Sequence, residues 1–236
     1  MKLKDFLGGN FDHAFWKNRL CPVLIGQFLG TLLIAWALRP IWVDDSWRYI
    51  PFQNYISGLG GGRMEGNIGA WVFLFGFCAF PIIGTGWNSY LYRQFSKVSK
   101  IYAAILWVTF ELSMICVAFV GIFDGVWPNP NISGFMHFIG ATFSFMGHTI
   151  SAVLVFIAIS IIYWKTPSES RHMHHPLKFA LVIVELVGVY LLFSAFGGPT
   201  WQWLIMLSLN VFLLAISRLF PEDLSFPTQK IIAEES

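Results

Sequence analysis

The stretch that decides the fold runs from Ile101 to Phe123 and reads IYAAILWVTFELSMICVAFVGIF. Its only charged residue is Glu111, and it contains no proline. As a helix that rises 1.5 Å per residue it would be about 35 Å long, enough to cross the roughly 30 Å hydrocarbon core of a bilayer. We therefore predict a transmembrane helix here.

Five further apolar runs of similar length occur along the chain, at about residues 20–38, 68–92, 135–164, 177–196 and 201–218. Of the 236 residues, 56% are hydrophobic and only 12% are charged, whereas soluble domains carry about 25% charged residues. This composition argues against a soluble enzyme. We predict an all-α, polytopic membrane protein with a six-helix transmembrane bundle over 20–218. An interfacial segment at 1–19 precedes it, and a polar tail at 219–236 follows.

The basic residues are distributed unevenly between the two sides of these spans, which we number 1 to 6. Twelve of the 15 lie on the side of the termini. They are Lys2, Lys4, Lys17, Arg19, Arg93, Lys97, Lys100, Lys165, Arg171, Lys178, Arg218 and Lys230. Because cytoplasmic loops are enriched in Lys and Arg, we predict that both termini are cytoplasmic, in a plasma or inner membrane. The net charge of +2 indicates no nucleic-acid partner.

The loop between spans 1 and 2, about residues 39–67, is the longest on the opposite side. It carries Arg39, Arg48 and Arg63 together with several glycines. These residues favour either a pliable entry into span 2 or recognition of a lipid headgroup by the guanidinium groups and the glycine amides.

Two short motifs carry a resemblance to a known family. The first is ISGLG at residues 56–60, and the second is HFIGATFSF at residues 137–145, at the start of span 4. Both are similar to motifs of the domain of unknown function 998 family, six-span membrane proteins close to the FRAG/DRAM group. The resemblance implies a six-span topology and says little about activity.

Span 4 also carries a polar stripe, in which His137, Ala141, Ser144, His148 and Ser151 recur at helical spacing. This spacing keeps the five side chains on one face of the helix, which we expect to point into the bundle. The stripe indicates either close helix packing through small residues or a polar cleft with His137 near its outer mouth.

Four polar residues are expected at similar depths inside the bilayer: Glu111, His148, Glu185 and Asn210. Ionisable side chains in hydrocarbon are costly, which makes each of them a functional candidate. If they converge, a glutamate and His148 could share a proton for transfer or acid–base chemistry. A hydrogen-bond network that locks the bundle is an equally good interpretation.

The sequence identifies no cofactor and predicts no metal site within the spans. The cytoplasmic cluster of His172, His174 and His175 could bind a transition metal, although such clusters often bind metals weakly and without function. The three cysteines lie in or beside apolar runs, and we interpret them as buried hydrophobic residues.

Three functional hypotheses follow from these patterns. In the first, membrane lipid or another apolar ligand binds in an outer-leaflet cleft, with Arg39, Arg48, Arg63 and His137 at its polar head and Ser144 and His148 deeper. In the second, the chain is an accessory subunit whose partners are other membrane subunits. In the third, it is a membrane enzyme or proton-linked transporter that uses Glu111, His148 and Glu185.

Overall fold

The computed structural model describes residues 2–39, 49–63, 66–123, 130–166 and 176–220. These residues contain six helices that are long and apolar enough to cross a membrane, and they contain no strand. The six spans are His13–Ala37, Ile68–Ser96, Lys100–Ile122, Pro130–Lys165, Pro176–Phe196 and Pro199–Leu219. This confirms the all-α, six-span prediction for an integral membrane protein. The orientation of the termini and the host membrane stay predictions.

The spans pack in chain order, each against the next, and span 1 closes the ring against span 6. Span 6 also touches span 4, and it is the most buried of the six, whereas span 5 is the least buried. Small residues allow close approach of the helices. A Cβ added to Gly147 of span 4, for example, would lie 2.7 Å from the Cβ of Ser113 in span 3.

Local sequence determines where the spans begin and turn. The Asn67 side chain accepts a hydrogen bond from Ala70 N (3.3 Å) at the start of span 2, and Ser99 accepts one from Tyr102 N (3.3 Å) at the start of span 3. Such caps satisfy amides that a helix start leaves unpaired. Gly197 and Gly198, at φ 61° and 88°, make the turn between spans 5 and 6 in a conformation that glycine adopts readily.

The N-terminal segment packs against the bundle at the end where spans 2 and 3 are joined. A short helix, Leu3–Leu7, leads to Gly9, which has φ 65° and lies against the backbone of Ser89 and Tyr90. The Arg93 Nη1 group donates to the Gly9 carbonyl (2.9 Å), and the fully buried Trp16 stacks on the Tyr90 ring at 5.0 Å between centroids. Span 1 therefore begins at His13, earlier than its apolar run indicates.

Candidate functional site

Two of the three arginines predicted to bind a lipid head make hydrogen bonds with the backbone. Arg39 donates to the Gly58 carbonyl and lies 5.4 Å from the centre of the Tyr49 ring. The Arg63 Nη2 group donates to the carbonyls of Gly121 (2.8 Å) and Ile122 (2.9 Å), and so caps the end of span 3. Arg48 lies outside the described residues. Arg39 thus bonds within the loop between spans 1 and 2, and Arg63 connects this loop to span 3.

His137 also contacts the backbone at this end of the bundle. Its Nδ1 atom lies 2.5 Å from the Phe123 carbonyl oxygen. Since a carbonyl oxygen only accepts, Nδ1 carries the proton in this contact. His137 joins the first turns of span 4 to the residue after span 3, and it lines neither of the internal cavities described below.

The loop between spans 1 and 2 is attached to the start of span 6. Within it, a 3-10 turn at Ile56–Gly60 begins where the Ile56 amide donates to Gln202 Oε1 (2.7 Å). The Trp203 indole donates to the Asn54 carbonyl (2.9 Å). The Tyr49 hydroxyl donates to the Tyr55 carbonyl (3.1 Å), and because burial raises the pKa of this phenol it remains a donor. This part of the loop therefore covers one end of the bundle interior, the end opposite the chain termini.

Two adjoining cavities lie beneath this loop, each of about 40 Å³. They share five lining residues, namely Phe28, Val117, Ser144, Phe145 and Met206. The outer cavity reaches Ser57 and Gln202, and the inner one reaches His148 and Asn210. Since a cavity needs about 10–15 Å³ of this kind of volume to hold one water molecule, cavities of this size suit a few water molecules and are small for a lipid headgroup.

The polar stripe of span 4 supplies two of the polar groups in these cavities. Ser144 and His148 are buried and line the inner cavity, and Ser151 is fully buried one turn further on. The His148 Nδ1 atom lies 2.8 Å from the Ser144 carbonyl, and its ring meets the edge of Phe110 at 5.2 Å between centroids. Among the residues facing this cavity, His148 is the only ionisable one.

Glu111 is held between spans 2 and 3 and lines neither cavity. One carboxylate oxygen accepts from the Thr85 hydroxyl, and the other accepts from Asn88 Nδ2 at 3.0 Å. Asn88 is fully buried, and its Nδ2 also donates to the Trp107 carbonyl at 3.0 Å. The half-buried Glu111 therefore takes part in a hydrogen-bond network between two helices.

Glu185 lies apart from this network, on span 5. Its side chain is exposed, and Ser208 Oγ of span 6 donates to it at 2.5 Å. Asn210, also on span 6, lines the inner cavity with His148 and donates to the Met206 carbonyl at 2.8 Å. The four residues expected to converge thus occupy three places, and only His148 and Asn210 share one.

Sequence reasoning did not find three residues that complete these sites: Thr85, Gln202 and Ser208. Thr85 is three residues before Asn88, so both fall on one face of span 2, and this spacing could have indicated the Glu111 network. For Gln202 and Ser208 no comparable signal exists, because each is a single polar residue whose partner is distant in sequence.

Within the described ranges, no group of three or more His, Cys, Asp and Glu residues could hold a metal ion. The cluster of His172, His174 and His175 lies outside those ranges. Comparisons with protein-family models, curated proteins and solved structures find no match to this chain. The resemblance to the domain of unknown function 998 family stays a prediction, and so does lipid binding in an outer-leaflet cleft.

Proposed function

We propose that this chain is a subunit of a larger membrane complex, and that the outward face of span 5 binds a transmembrane helix of another subunit. The observation that carries the proposal is the position of Glu185. It is the tenth residue of the 21-residue helix Pro176–Phe196, close to its middle, and its side chain is exposed on the outside of the bundle. Span 5 is also the least buried of the six spans.

A carboxylate in this position is costly when lipid surrounds it. An acidic residue at the centre of a transmembrane helix disfavours insertion by about 3 kcal/mol. A carboxylate can accept about four hydrogen bonds, and within the described chain Glu185 receives one, from Ser208. A partner helix that supplies further donors would lower this cost, which favours association.

The residues around Glu185 suit helix packing. The Glu185 face, as we name it, consists of Leu181, Val184, Glu185, Gly188 and Leu192, which helical spacing brings to one side. Leu181 and Val184 are 69% and 70% exposed, and a Cβ added to Gly188 would meet no heavy atom within 4 Å. A glycine with open space in front of it allows a second backbone to approach closely.

The occupant we propose is a helix of a different protein that carries Lys or Arg at the depth of Glu185. The described spans of a second copy of this chain would not provide such a residue. The Lys and Arg residues of the described spans lie toward span ends, and the mid-span donors Asn88, His148 and Asn210 are buried. Two copies meeting here would bring one Glu185 against the other.

Site-specific photo-crosslinking in the native membrane tests the proposal. A photoreactive residue at position 181 should give one discrete protein adduct, whereas the same residue at Leu112, an exposed position of span 3 (58%), should give none. The adduct should disappear in the Glu185→Leu variant, and the crosslinked protein should contain a transmembrane Lys or Arg. An adduct that persists at full yield in Glu185→Leu, or an adduct with a second copy only, would contradict the proposal.

A further inference from the structure

A groove of about 460 Å³ lies on the surface of the bundle where the N-terminal segment meets spans 2 and 3. This is the end of the molecule that carries most of the basic residues. One wall contains polar residues, Ser89, Tyr92 and Arg93, and the other contains Ala104, Trp107 and Val108. The groove is more than ten times larger than either internal cavity, and the proposed partner interface on span 5 does not include it.

Arg93 gives the groove a positive charge, and its guanidinium group has more N–H donors than its one hydrogen bond uses. Its side chain is exposed, and the hydrogen bond from its Nη1 to the Gly9 carbonyl is the one that the described chain provides. A guanidinium group has five N–H donors in a planar fork that matches phosphate oxygens. Lys97 and Lys100, both exposed, follow at the same end of the bundle. The electrostatic potential in the groove is therefore positive and favours binding of an anion.

The opposite wall is apolar and extends toward the middle of the bilayer. The Trp107 indole is fixed by its hydrogen bond to Ser89 Oγ (3.3 Å), and Ala104 beside it leaves room for a ligand. On this side of span 3, Ile105, Val108 and Leu112 are 52%, 46% and 58% exposed. Trp and Tyr side chains are typical of the level of lipid headgroups. This arrangement places a cation at the interface and an apolar track beneath it.

From these features we infer that the groove binds an anionic phospholipid, with its phosphate on Arg93 and one acyl chain along Ala104 and Val108. None of the lining residues is acidic, so the walls of the groove offer no carboxylate to the ammonium group of a zwitterionic headgroup. Glu111 lies one turn beyond Trp107, where Thr85 and Asn88 hold it. It is not among the lining residues, and both of its carboxylate oxygens already accept hydrogen bonds. Charge complementarity therefore favours a lipid such as phosphatidylglycerol.

Native mass spectrometry of the full chain, titrated with dioleoylphosphatidylglycerol or dioleoylphosphatidylcholine, tests the inference. One phosphatidylglycerol molecule should bind at least fivefold more tightly than phosphatidylcholine. Arg93→Gln should weaken that binding by about tenfold, because it removes a charge-assisted contact. Since this change also removes the contact with Gly9, a second variant, Ala104→Phe, fills the groove and leaves Arg93 in place. It should cause a similar loss.

The matched control is Arg218→Gln, which removes an exposed arginine at the same end of the bundle but outside the groove. It should leave phosphatidylglycerol binding unchanged. Inorganic phosphate at millimolar concentration should not displace the lipid, because the acyl chain contributes to binding. Equal binding of the two lipids, unchanged binding in Ala104→Phe, or displacement by phosphate would each overturn the inference.

Discussion

Glu111 and Glu185 are two carboxylates at similar depth, but their surroundings differ. Glu111 is the twelfth of 23 residues in span 3, is half-buried, and accepts hydrogen bonds from two residues of span 2. Glu185 is near the middle of span 5, is exposed, and accepts from one residue of span 6. The same residue type can therefore hold a bundle together from within or leave a polar group on its surface for another protein to cover.

The difference arises from the neighbouring helices. Span 2 presents Thr85 and the fully buried Asn88 one turn apart, so both carboxylate oxygens of Glu111 find donors. Span 5 packs through residues such as Phe179, Ile183 and Leu186, and helical geometry directs Glu185 away from that face. Substitutions at the two sites should consequently affect stability and association in different proportions.

The largest effect on stability is expected for Asn88→Leu, which removes the donor that Glu111 shares with the Trp107 carbonyl. A hydrogen bond to a charged group contributes about 1.5–3 kcal/mol, so we expect the free energy of unfolding to fall by about 2 kcal/mol. Denaturant unfolding of the purified chain in detergent measures it. Thr109→Val, which removes a hydroxyl bonded only within its own helix, is the control. An equal loss of unfolding free energy in both variants would contradict the stabilising role of the Asn88–Glu111 hydrogen bond.

A smaller effect is expected when the carboxylate itself is replaced. Glu111→Leu removes the acceptor for Thr85 and Asn88 but also removes a costly charge, so we expect a loss of about 1 kcal/mol. Glu111→Gln keeps an acceptor oxygen and should lose less than half as much. The same unfolding assay distinguishes the two variants. If Gln were as damaging as Leu, hydrogen bonding would not explain the role of Glu111.

At the other site, Glu185→Leu should leave the isolated chain nearly unchanged, within about 0.5 kcal/mol, as for most surface substitutions. The single hydroxyl proton of Ser208, no longer shared with Glu185, would be donated to the Leu204 carbonyl (2.9 Å). The same substitution should abolish association with the partner subunit. Measuring the size of the complex after mild extraction from native membranes would detect this loss. A loss of stability as large as that of Glu111→Leu would remove the contrast between the two carboxylates.

The smallest effect is expected for Ser208→Ala, about 0.3 kcal/mol on the isolated chain, because its bond to Glu185 is partly exposed. The matched control is Ser194→Ala, since Ser194 also bonds a carbonyl of its own helix (2.9 Å) but no carboxylate. Comparing the two by thermal unfolding isolates the bond to Glu185. A difference above about 1 kcal/mol would mean that span 6 satisfies Glu185 without a partner.

Hydropathy was enough to predict the six spans, but it was less accurate at their ends. Span 1 was expected to begin near Leu20, because Lys17, Asn18 and Arg19 interrupt the apolar run, and it begins at His13. The earlier turns are helical because Trp16 packs against Trp87 and Tyr90. That contact joins residues about 70 positions apart, and no local pattern reveals it.

The candidate sites were predictable only as residues on helix faces. The spacing of Ser144, His148 and Ser151 indicated one face of span 4 that points inward, and all three are buried. Their partners were not predictable from that spacing. Glu111, Glu185 and Asn210 were expected near His148, yet only Asn210 lines the same cavity. Similar depth brings residues to one level of the bilayer but does not fix the direction in which each side chain points.

By itself, the sequence determined that this chain crosses a membrane six times. Hydrocarbon requires about 20 apolar residues per crossing, with every backbone hydrogen bond closed inside a helix, and this requirement is visible in composition alone. Only the tertiary structure decided that Glu111 is held between two spans and that Glu185 faces outward. Those outcomes depend on how each helix is rotated against its neighbours, which side-chain packing between distant parts of the chain determines.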